Sequence, residues 1–293
     1  MTTAHLDLTD SDRAAAHART FEDFVAIVRR LRRDCPWDRV QTNDSVKHLT
    51  IEETYELVEA IDEGDPDEIK KELGDLFLHV LFHTHIAETE GRFTLQDVME
   101  AEMAKLVRRH PHVFGETVVN STGDVVKTWE AIKQAERAAD SKRRGTPARQ
   151  SVLDGVPAAL PALLRAERVQ EKVAAVGFDF PEAAGAWAKV EEEISELKAL
   201  DGPEAADPAA LEDEFGDVLF ALVNYARFIG VAPENALRGT VRKFSRRFQH
   251  IEARLAEQGQ TLGAATLAEM DQLWDEAKAL EAETLEANVQ RAG

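Results

Sequence analysis

The chain of 293 residues contains one cysteine, Cys35. A single cysteine excludes a disulfide within the chain, and a reducing compartment is the simplest setting for such a sequence. The opening residues 1–7 lack the basic and apolar segments of a secretory signal. No apolar run approaches the ~20 residues that a membrane-spanning helix needs. We therefore expect a soluble, cytoplasmic protein that has no membrane partner.

Positive charge is also scarce. The 35 Lys and Arg residues stand against 55 Asp and Glu residues, which gives a formal net charge of -20. A general nucleic-acid binder normally carries a basic surface that neutralises phosphates, so this balance argues against a nucleic-acid partner. An acidic protein that acts on an anionic substrate needs metal ions or a local basic cluster.

Signatures of several other folds and chemistries are missing. Runs of β-branched residues are few, and no Asn-Gly or Asp-Gly turn lies between alternating segments, so we expect an all-α fold. Glycine-rich loops of the Walker and dinucleotide-binding kinds are absent. The sequence has no His-Asp dipeptide and no Glu-x-x-His, which excludes phosphohydrolases of the His-Asp kind and di-iron helical bundles.

What the sequence does contain is acidic helices with ordered spacing. Glu193 and Glu196 follow the pattern E-E-x-x-E, and Glu214 and Asp217 follow E-x-x-D. Residues three or four apart share one face of a helix. A turn at residues 201–203 would fold the two helices into an antiparallel hairpin and bring the four carboxylates together. The alternative is that these acids form a solvated helix face, because the whole chain is acidic.

Four converging carboxylates repel one another, so the arrangement requires a cation. Hard oxygen ligands in this number suit Mg²⁺ or Mn²⁺, and such ions keep water positions that a phosphate substrate can replace. The neighbouring Glu192 lies one helical step from Glu193, and we interpret it as the base that activates a water molecule. The alternative places Glu192 outside the ligand set or in solvent.

The acidic pattern occurs twice, and other landmarks recur with it in the same order. Trp37-Asp38 corresponds to Phe178-Asp179, and Trp129 with Lys133 corresponds to Trp274 with Lys278. The basic triplet Lys105, Arg108 and Arg109 corresponds to Lys243, Arg246 and Arg247. The metal ligands predicted for the first copy are Glu53, Glu56, Glu72 and Asp75. The chain is therefore interpreted as a tandem repeat.

These motifs, together with residues 35–38 (Cys-Pro-Trp-Asp), 108–114 (Arg-Arg-His-Pro-His-Val-Phe) and 176–179 (Val-Gly-Phe-Asp), resemble the MazG nucleoside triphosphate pyrophosphohydrolases. The resemblance covers nearly the whole chain. It implies an all-α fold, helical homodimers, dependence on Mg²⁺, and cleavage of nucleoside triphosphates to a monophosphate and pyrophosphate. It also points to Glu192 as the base, and it suggests removal of aberrant nucleotides or control of nucleotide pools.

Turn signals and composition divide the chain. We expect a flexible arm over residues 1–19, a first four-helix, MazG-like domain over 20–139, a linker over 140–156 and a second such domain over 157–293. The first helix is expected to begin near Thr20, which is a suitable N-cap residue.

Candidate substrate contacts lie mainly in the second copy. Lys243 and Arg247 share one helical face and are expected to bind phosphates, as the resemblance also implies, although pairing with surface acids is the alternative. Trp274 either stacks on a base or belongs to the core. Lys189 and Asn224 add a cation and an amide that we expect to contact substrate. Their counterparts in the first copy are Leu49 and Phe82, so we expect the second copy to perform most of the hydrolysis.

Other interpretations remain open at the level of sequence. The histidines at positions 79, 83 and 85 are expected to be polar members of a helix interface rather than metal ligands. Rival enzymes with similar helices are a base-specific dUTP or dCTP pyrophosphatase and a phosphoribosyl-ATP pyrophosphohydrolase. A rival of a different class is a non-catalytic helical dimer that senses nucleotides or binds a partner.

Overall fold

The computed structural model describes residues 11–119, 151–200 and 207–292, together with residues 121, 123–125, 128–129, 132–133 and 135–136. The chain divides into two compact units, Met1–Thr146 and Pro147–Gly293. The described residues are helical or lie in turns, and none forms a strand, so the predicted all-α fold is confirmed.

The first unit is built from helices whose ends are set by local sequence. They are α1 (Ser11–Asp34), α2 (Asn43–Glu63), α3 (Pro66–Thr89), α4 (Leu95–Arg109) and the short α5 (Pro111–Phe114). Thr42 caps α2 in a reciprocal capping box with Ser45, and Gly64 ends it with a left-handed φ of 74°. Asp65 then caps α3, whose first residue is Pro66. The α2–α3 hairpin therefore has defined starts and a tight turn.

The first helix begins earlier than its sequence signal suggested. It runs from Ser11 rather than from near Thr20, so residues 11–19 are helical. The reason is the high helix propensity of the Ala14-Ala15-Ala16 run, which extends the helix upstream of the expected cap. Residues 1–10 of the predicted arm and 140–150 of the predicted linker lie outside the described residues.

The second unit repeats the plan. Its helices are α6 (Ala162–Ala174), α7 (Ala183–Leu200), α8 (Pro208–Phe228), α9 (Pro233–Glu257) and α10 (Leu267–Ala292). Helices α7 and α8 pack side by side, α6 packs on α8, and α10 packs on α9. The turn predicted at residues 201–203 lies outside the described residues. Asp207 caps α8 by accepting a hydrogen bond from the backbone N–H of Ala209, as Asp65 caps α3.

Each unit has its own apolar core. In the first, Val28, Val46, Leu81, Phe82 and Ile86 are buried together where α1, α2 and α3 meet. In the second, Val190 and Val223 are fully buried on α7 and α8, and Ile251, Leu255 and Leu273 form a cluster between α9 and α10. Among the described residues, no single helix is long and apolar enough to cross a membrane. Helices α8 and α9 reach that length and apolarity only when taken together, across a bend of 107°.

A polar network crosses the α2–α3 interface of the first unit. Thr50 Oγ1 lies 2.9 Å from His79 Nδ1 and 2.8 Å from His83 Nε2, and His83 Nδ1 lies 2.7 Å from Asn43 Oδ1. Burial lowers the pKa of both imidazoles, which keeps them neutral. His79 and His83 are thus polar members of a helix interface, as predicted. The corresponding positions in the second unit are Val190, Ala221 and Tyr225.

The bridging hydroxyl of Thr50 generates a prediction for stability. Thr50→Val, which installs the residue found in the second unit, should destabilise the first unit by about 1 to 3 kcal/mol, because two partly buried imidazole nitrogens lose their partner. Hydrogen exchange of the α2 and α3 amides measures this unit separately. Thr54→Val is the matched control, since the Thr54 hydroxyl is exposed and donates only to a carbonyl of its own helix. Equal protection in the two variants would contradict a structural role for the network.

Candidate metal and phosphate site

Three carboxylates meet between α7 and α8 in the second unit. Glu193 and Glu196 stand one turn apart on α7, Glu214 stands on α8, and one oxygen from each lies within 4.8 Å of the others. The apolar core sets this geometry, because Val190 on α7 and Val218 on α8 are buried close to these acids in the helical register. Glu193 is only 6% exposed, so the cluster begins inside the hairpin and opens toward solvent at Glu196.

The cluster is short of positive charge and of hydrogen-bond donors. Burial first, and then the charges of Glu193 and Glu214, raise the pKa of Glu196. Glu214 Oε2 is buried and has no hydrogen-bond partner among the described residues. Unsatisfied buried carboxylate oxygens are costly. This donor set of hard oxygens fits a divalent cation such as Mg²⁺ or Mn²⁺.

The fourth predicted ligand, Asp217, lies one turn beyond Glu214 on α8 and shares its face by spacing. It is not a member of the group whose oxygens all lie within 4.8 Å of one another. Its side chain is one methylene shorter than that of glutamate, which keeps its carboxylate nearer to α8. The structure therefore brings together three of the four predicted ligands in this way.

Lys189 supplies the positive charge at this edge of the cluster. Its Nζ lies 2.6 Å from Glu193 Oε1 and 2.8 Å from Glu192 Oε1. Hydrogen bonds to these two carboxylates raise the pKa of Lys189, so the ammonium stays charged. The predicted base, Glu192, is itself on the outer face of α7, where its side chain is 56% exposed. Lys189 thus bridges the predicted base and a predicted ligand, which it precedes in the sequence by three and four residues.

The first unit holds the equivalent cluster with its cation on the other helix. Oxygens of Glu53, Glu56 and Glu72 also lie within 4.8 Å of one another, and the 3%-exposed Glu72 has one buried oxygen without a partner. Burial first, and then the charge of Asp75, raise the pKa of Glu53. Here the lysine comes from α3, since Lys71 Nζ lies 2.7 Å from Glu72 Oε1.

The basic residues of α9 face α10 across an open groove of about 620 Å³. Lys243, Arg246 and Arg247 line one wall, and Glu281 lies on the other. Arg247 Nη2 donates to Glu281 Oε2 at 2.7 Å, so the predicted phosphate contact is paired with an acid in the structure. Its guanidinium carbon lies 5.3 Å from the centre of the Trp274 ring, and Trp274 packs on the core cluster of this unit.

Asn224 is held by Arg227, which is itself held by Asp179, and neither residue was predicted from the sequence to lie in the site. Arg227 Nη1 donates to Asn224 Oδ1, and Arg227 Nη2 donates to Asp179 Oδ2 at 2.7 Å. The Asn224 amide nitrogen is thereby left as the group that can donate to a substrate. Asp179 belongs to a repeated landmark, which was a signal for its importance. Glu281 also had a signal, because it follows Trp274 by seven residues as Glu136 follows Trp129.

Comparison with known proteins agrees with this geometry. The MazG nucleotide pyrophosphohydrolase domain is found twice in the chain, at residues 41–114 and 183–252, and these ranges contain both acidic clusters. The nucleoside triphosphate pyrophosphohydrolase/pyrophosphatase MazG of Thermotoga maritima is 44% identical over 260 residues, which are 88% of this chain and 95% of that protein. The nucleoside triphosphate pyrophosphohydrolase of Escherichia coli K12 is 40% identical over 257 residues, which are 87% of this chain and 95% of that protein.

A further relative is YabN of Bacillus subtilis, an uncharacterized protein, which is 47% identical over 263 residues; these are 89% of this chain and 52% of that protein. Two all-α units, each with an acidic cluster on a helical hairpin, define a class of helical enzymes that handle nucleotides. The chain belongs to the MazG family of nucleotide pyrophosphohydrolases.

The acidic cluster of the second unit predicts coupling between metal binding and stability. Mg²⁺ should raise the melting temperature, because a bound ion removes repulsion that the metal-free protein tolerates. Replacing both Glu193→Gln and Asp217→Asn should abolish hydrolysis by the second copy and raise the metal-free melting temperature. The raised pKa of Glu196 also predicts how stability depends on pH. The protonated side chain contributes to the free energy of unfolding at low pH, and this contribution is lost as the pH rises through the raised pKa.

Differential scanning calorimetry without metal, between about pH 4.5 and 7, measures this slope. The wild-type protein should lose more stability than the double variant over this range, and Mg²⁺ should raise the melting temperature of the wild type more. Lys198→Met, which changes an ordinary residue of the same helix, serves as the control. An unchanged catalytic rate in the double variant would refute the assignment of these residues to the metal.

Proposed function

We propose that this chain hydrolyses nucleoside triphosphates, ribo and/or deoxy, to a nucleoside monophosphate and pyrophosphate, that the reaction depends on Mg²⁺, and that the second copy performs most of it. The observation that carries the proposal is the unsatisfied three-carboxylate cluster on α7 and α8. The relatives from Thermotoga maritima and Escherichia coli K12 are described as nucleoside triphosphate pyrophosphohydrolases, which supports the same reaction.

Glu193, Glu196, Glu214 and Asp217 would hold the metal. When bound, Mg²⁺ neutralises charge on phosphate oxygens and orients the reacting groups. Glu192 accepts the proton of a water molecule, whose oxygen forms a bond to phosphorus as the bridging P–O bond between the α and β phosphates breaks. The open position of Glu192 beside the cluster supports this role, and its carboxylate lies 2.8 Å from the Lys189 ammonium.

The groove between α9 and α10 supports a second contribution, which is binding of the polyphosphate. Lys243 and Arg247 stand four residues apart on α9 and line the same groove. An ammonium and a planar guanidinium on one face can bind several phosphate oxygens at once. Trp274 stands beside Arg247, where its ring can stack on a nucleobase.

The difference between the copies lies at the position seven residues after the last acid of each motif. In the second unit this is Asn224, which is half-buried and offers an amide nitrogen. In the first it is Phe82, which is 7% exposed and packed in the core with the Arg32 guanidinium 4.8 Å from its ring centre. The first copy therefore has no polar group at this point. We propose that this difference, together with Leu49 in place of Lys189, reduces hydrolysis by the first copy.

The proposal is tested by pyrophosphate release from a panel of ribo- and deoxynucleoside triphosphates, with and without Mg²⁺. Glu193→Gln with Asp217→Asn leaves only the first copy to hydrolyse the substrate. This variant should lower kcat/KM at least roughly 30-fold, because the first copy lacks the contacts of Lys189 and Asn224, which are worth about 1 to 3 kcal/mol each. Glu53→Gln with Asp75→Asn is the matched pair in the first copy and should retain most of the turnover. The opposite result would reverse the assignment of the copies.

The same panel decides between this function and its rivals. Turnover restricted to dUTP or dCTP would identify a base-specific pyrophosphatase. Absence of pyrophosphate release with every nucleotide would favour a non-catalytic nucleotide-sensing or interaction dimer. Broad turnover that includes non-standard nucleotides would support a role in cleaning or regulating cellular nucleotide pools, which we propose as the physiological task.

We also propose that the chain forms homodimers through its helical hairpins. Leu73, Phe77 and Val80 on α3 are exposed, and so are their counterparts on α8, which are Phe215, Leu219 and Leu222. A repeated apolar stripe at identical positions indicates a face that is covered in the assembled protein. Light scattering should give a mass near twice 32.5 kDa at micromolar concentration. Phe77→Glu with Leu219→Glu should shift the mass toward a monomer, and a wild-type monomer would contradict this proposal.

A further inference from the structure

A glutamate bridges the paired arginines of each basic cluster in both units. In the second unit, Glu281 accepts hydrogen bonds from Arg247 Nε at 3.0 Å and Arg247 Nη2 at 2.7 Å, and from Arg246 Nη2 at 3.3 Å. In the first unit, Glu136 accepts hydrogen bonds from Arg108 Nε at 2.6 Å and Arg109 Nη2 at 2.6 Å. Two independent copies of one arrangement indicate a shared requirement of the site.

The spacing in the sequence explains how the glutamate reaches this position. Glu281 follows Trp274 by seven residues, and Glu136 follows Trp129 by seven. In α10, seven residues are about two helical turns, so Glu281 and Trp274 lie on one face of that helix. The glutamate and the tryptophan of the second unit therefore approach the same arginine together.

The geometry of the Arg247 contact is one-sided. Both donors, Nε and Nη2, bind the same oxygen, Glu281 Oε2, along one edge of the guanidinium. Nη1 has no hydrogen-bond partner among the described residues of this unit. Arg247 and Lys243 line the same groove. The Trp274 ring is 5.3 Å from the guanidinium carbon. The Arg247 side chain is 17% exposed, whereas that of Arg246 is 61% exposed, so Arg247 is the more enclosed of the two.

We infer that Glu281 is a positioning residue: it fixes the Arg247 guanidinium beside Trp274 so that the remaining edge, with Nη1, faces the groove and binds a phosphate group of the substrate. This inference rests on the proposed function. Glu281 binds Nε and Nη2 and leaves Nη1 as a donor for the substrate, so it orders the arginine without occupying all of its donors.

The gain from this arrangement is preorganisation. A free arginine side chain loses rotamer freedom when it binds a phosphate, and ordering it beforehand removes that loss from the binding step. The hydrogen bonds from Arg247 also lower the pKa of Glu281, which keeps the partner charged at neutral pH. We expect the positioning effect to amount to roughly 3- to 10-fold in phosphate affinity.

The experiment measures binding of tripolyphosphate with Mg²⁺ by calorimetry, and KM and kcat for a nucleoside triphosphate. All variants carry Arg108→Ala and Arg109→Ala, which remove the equivalent basic pair of the first unit. Glu281→Ala should weaken tripolyphosphate binding and raise KM by roughly 3- to 10-fold, with a smaller change in kcat. Glu281→Gln, which keeps the shape and one acceptor, should restore part of the affinity.

Glu276→Gln is the matched structural control. Glu276 joins the same two helices, because its Oε1 lies 3.2 Å from His250 Nε2 and forms an ion pair with Arg254 Nε at 2.9 Å, and it lies outside the contacts of Arg247. It should lower the melting temperature about as much as Glu281→Gln without changing tripolyphosphate binding. Tighter binding in Glu281→Ala would identify Glu281 as a competitor of the phosphate, and unchanged binding would show that it does not position Arg247. Either result would overturn the inference.

Arg247→Ala distinguishes failure of this inference from failure of the proposed function. If Arg247→Ala weakens tripolyphosphate binding while Glu281→Ala and Glu281→Gln do not, the phosphate contact stands and only the positioning role is lost. If Arg247→Ala leaves binding and KM unchanged, the phosphate contact itself is wrong, and the role of Glu281 is overturned with it.

Discussion

Repulsion between carboxylates on adjacent helices is the constraint on which both units depend. Three acids whose oxygens lie within 4.8 Å of one another repel one another, and burial beside an apolar core strengthens that repulsion. Each unit supplies one lysine, and in each a buried glutamate oxygen still lacks a partner. The hairpin holds the acids together through its buried valines and leucines, so the packing energy of the core maintains an arrangement that its electrostatics oppose.

The two hairpins achieve the same cluster with different interiors. The second hairpin packs around the apolar Val190 and Val223. The first carries the network of Thr50, His79 and His83 at the same interface. Hydrogen-bonded networks fix one relative placement of two helices but leave fewer apolar groups to bury. The first unit thus uses hydrogen bonds at the interface that the second unit fills with apolar side chains. At the position of Asn224 in the second unit, the first unit has the buried ring of Phe82.

Helical periodicity explains how much of this was predictable from sequence. The all-α fold, the hairpin helices and the pairing of Glu193 with Glu196 follow from spacing, because neighbours three or four apart must share a face. Other features depend on side-chain conformation or on distant residues. Arg247 pairs with Glu281, which lies 34 residues away, and Arg227 pairs with Asp179, which lies 48 residues away. The start of α1 was also missed, because alanines favour a helix without a capping signal.

The placement of the two lysines has a consequence for exchange between the copies. Lys189 projects from the first acidic helix of its hairpin, whereas Lys71 projects from the second acidic helix of the other, and their counterparts are Leu49 and Asp213. Leu49→Lys in the first copy would therefore create a hairpin with two lysines around three acids, and would weaken cation binding rather than reproduce the second copy. Only the coupled exchange with Lys71→Asp reproduces the local charge of Lys189 and Asp213 in the second copy. To convert the acidic cluster of one copy into that of the other, both positions must therefore be exchanged together, because either single exchange changes the charge balance.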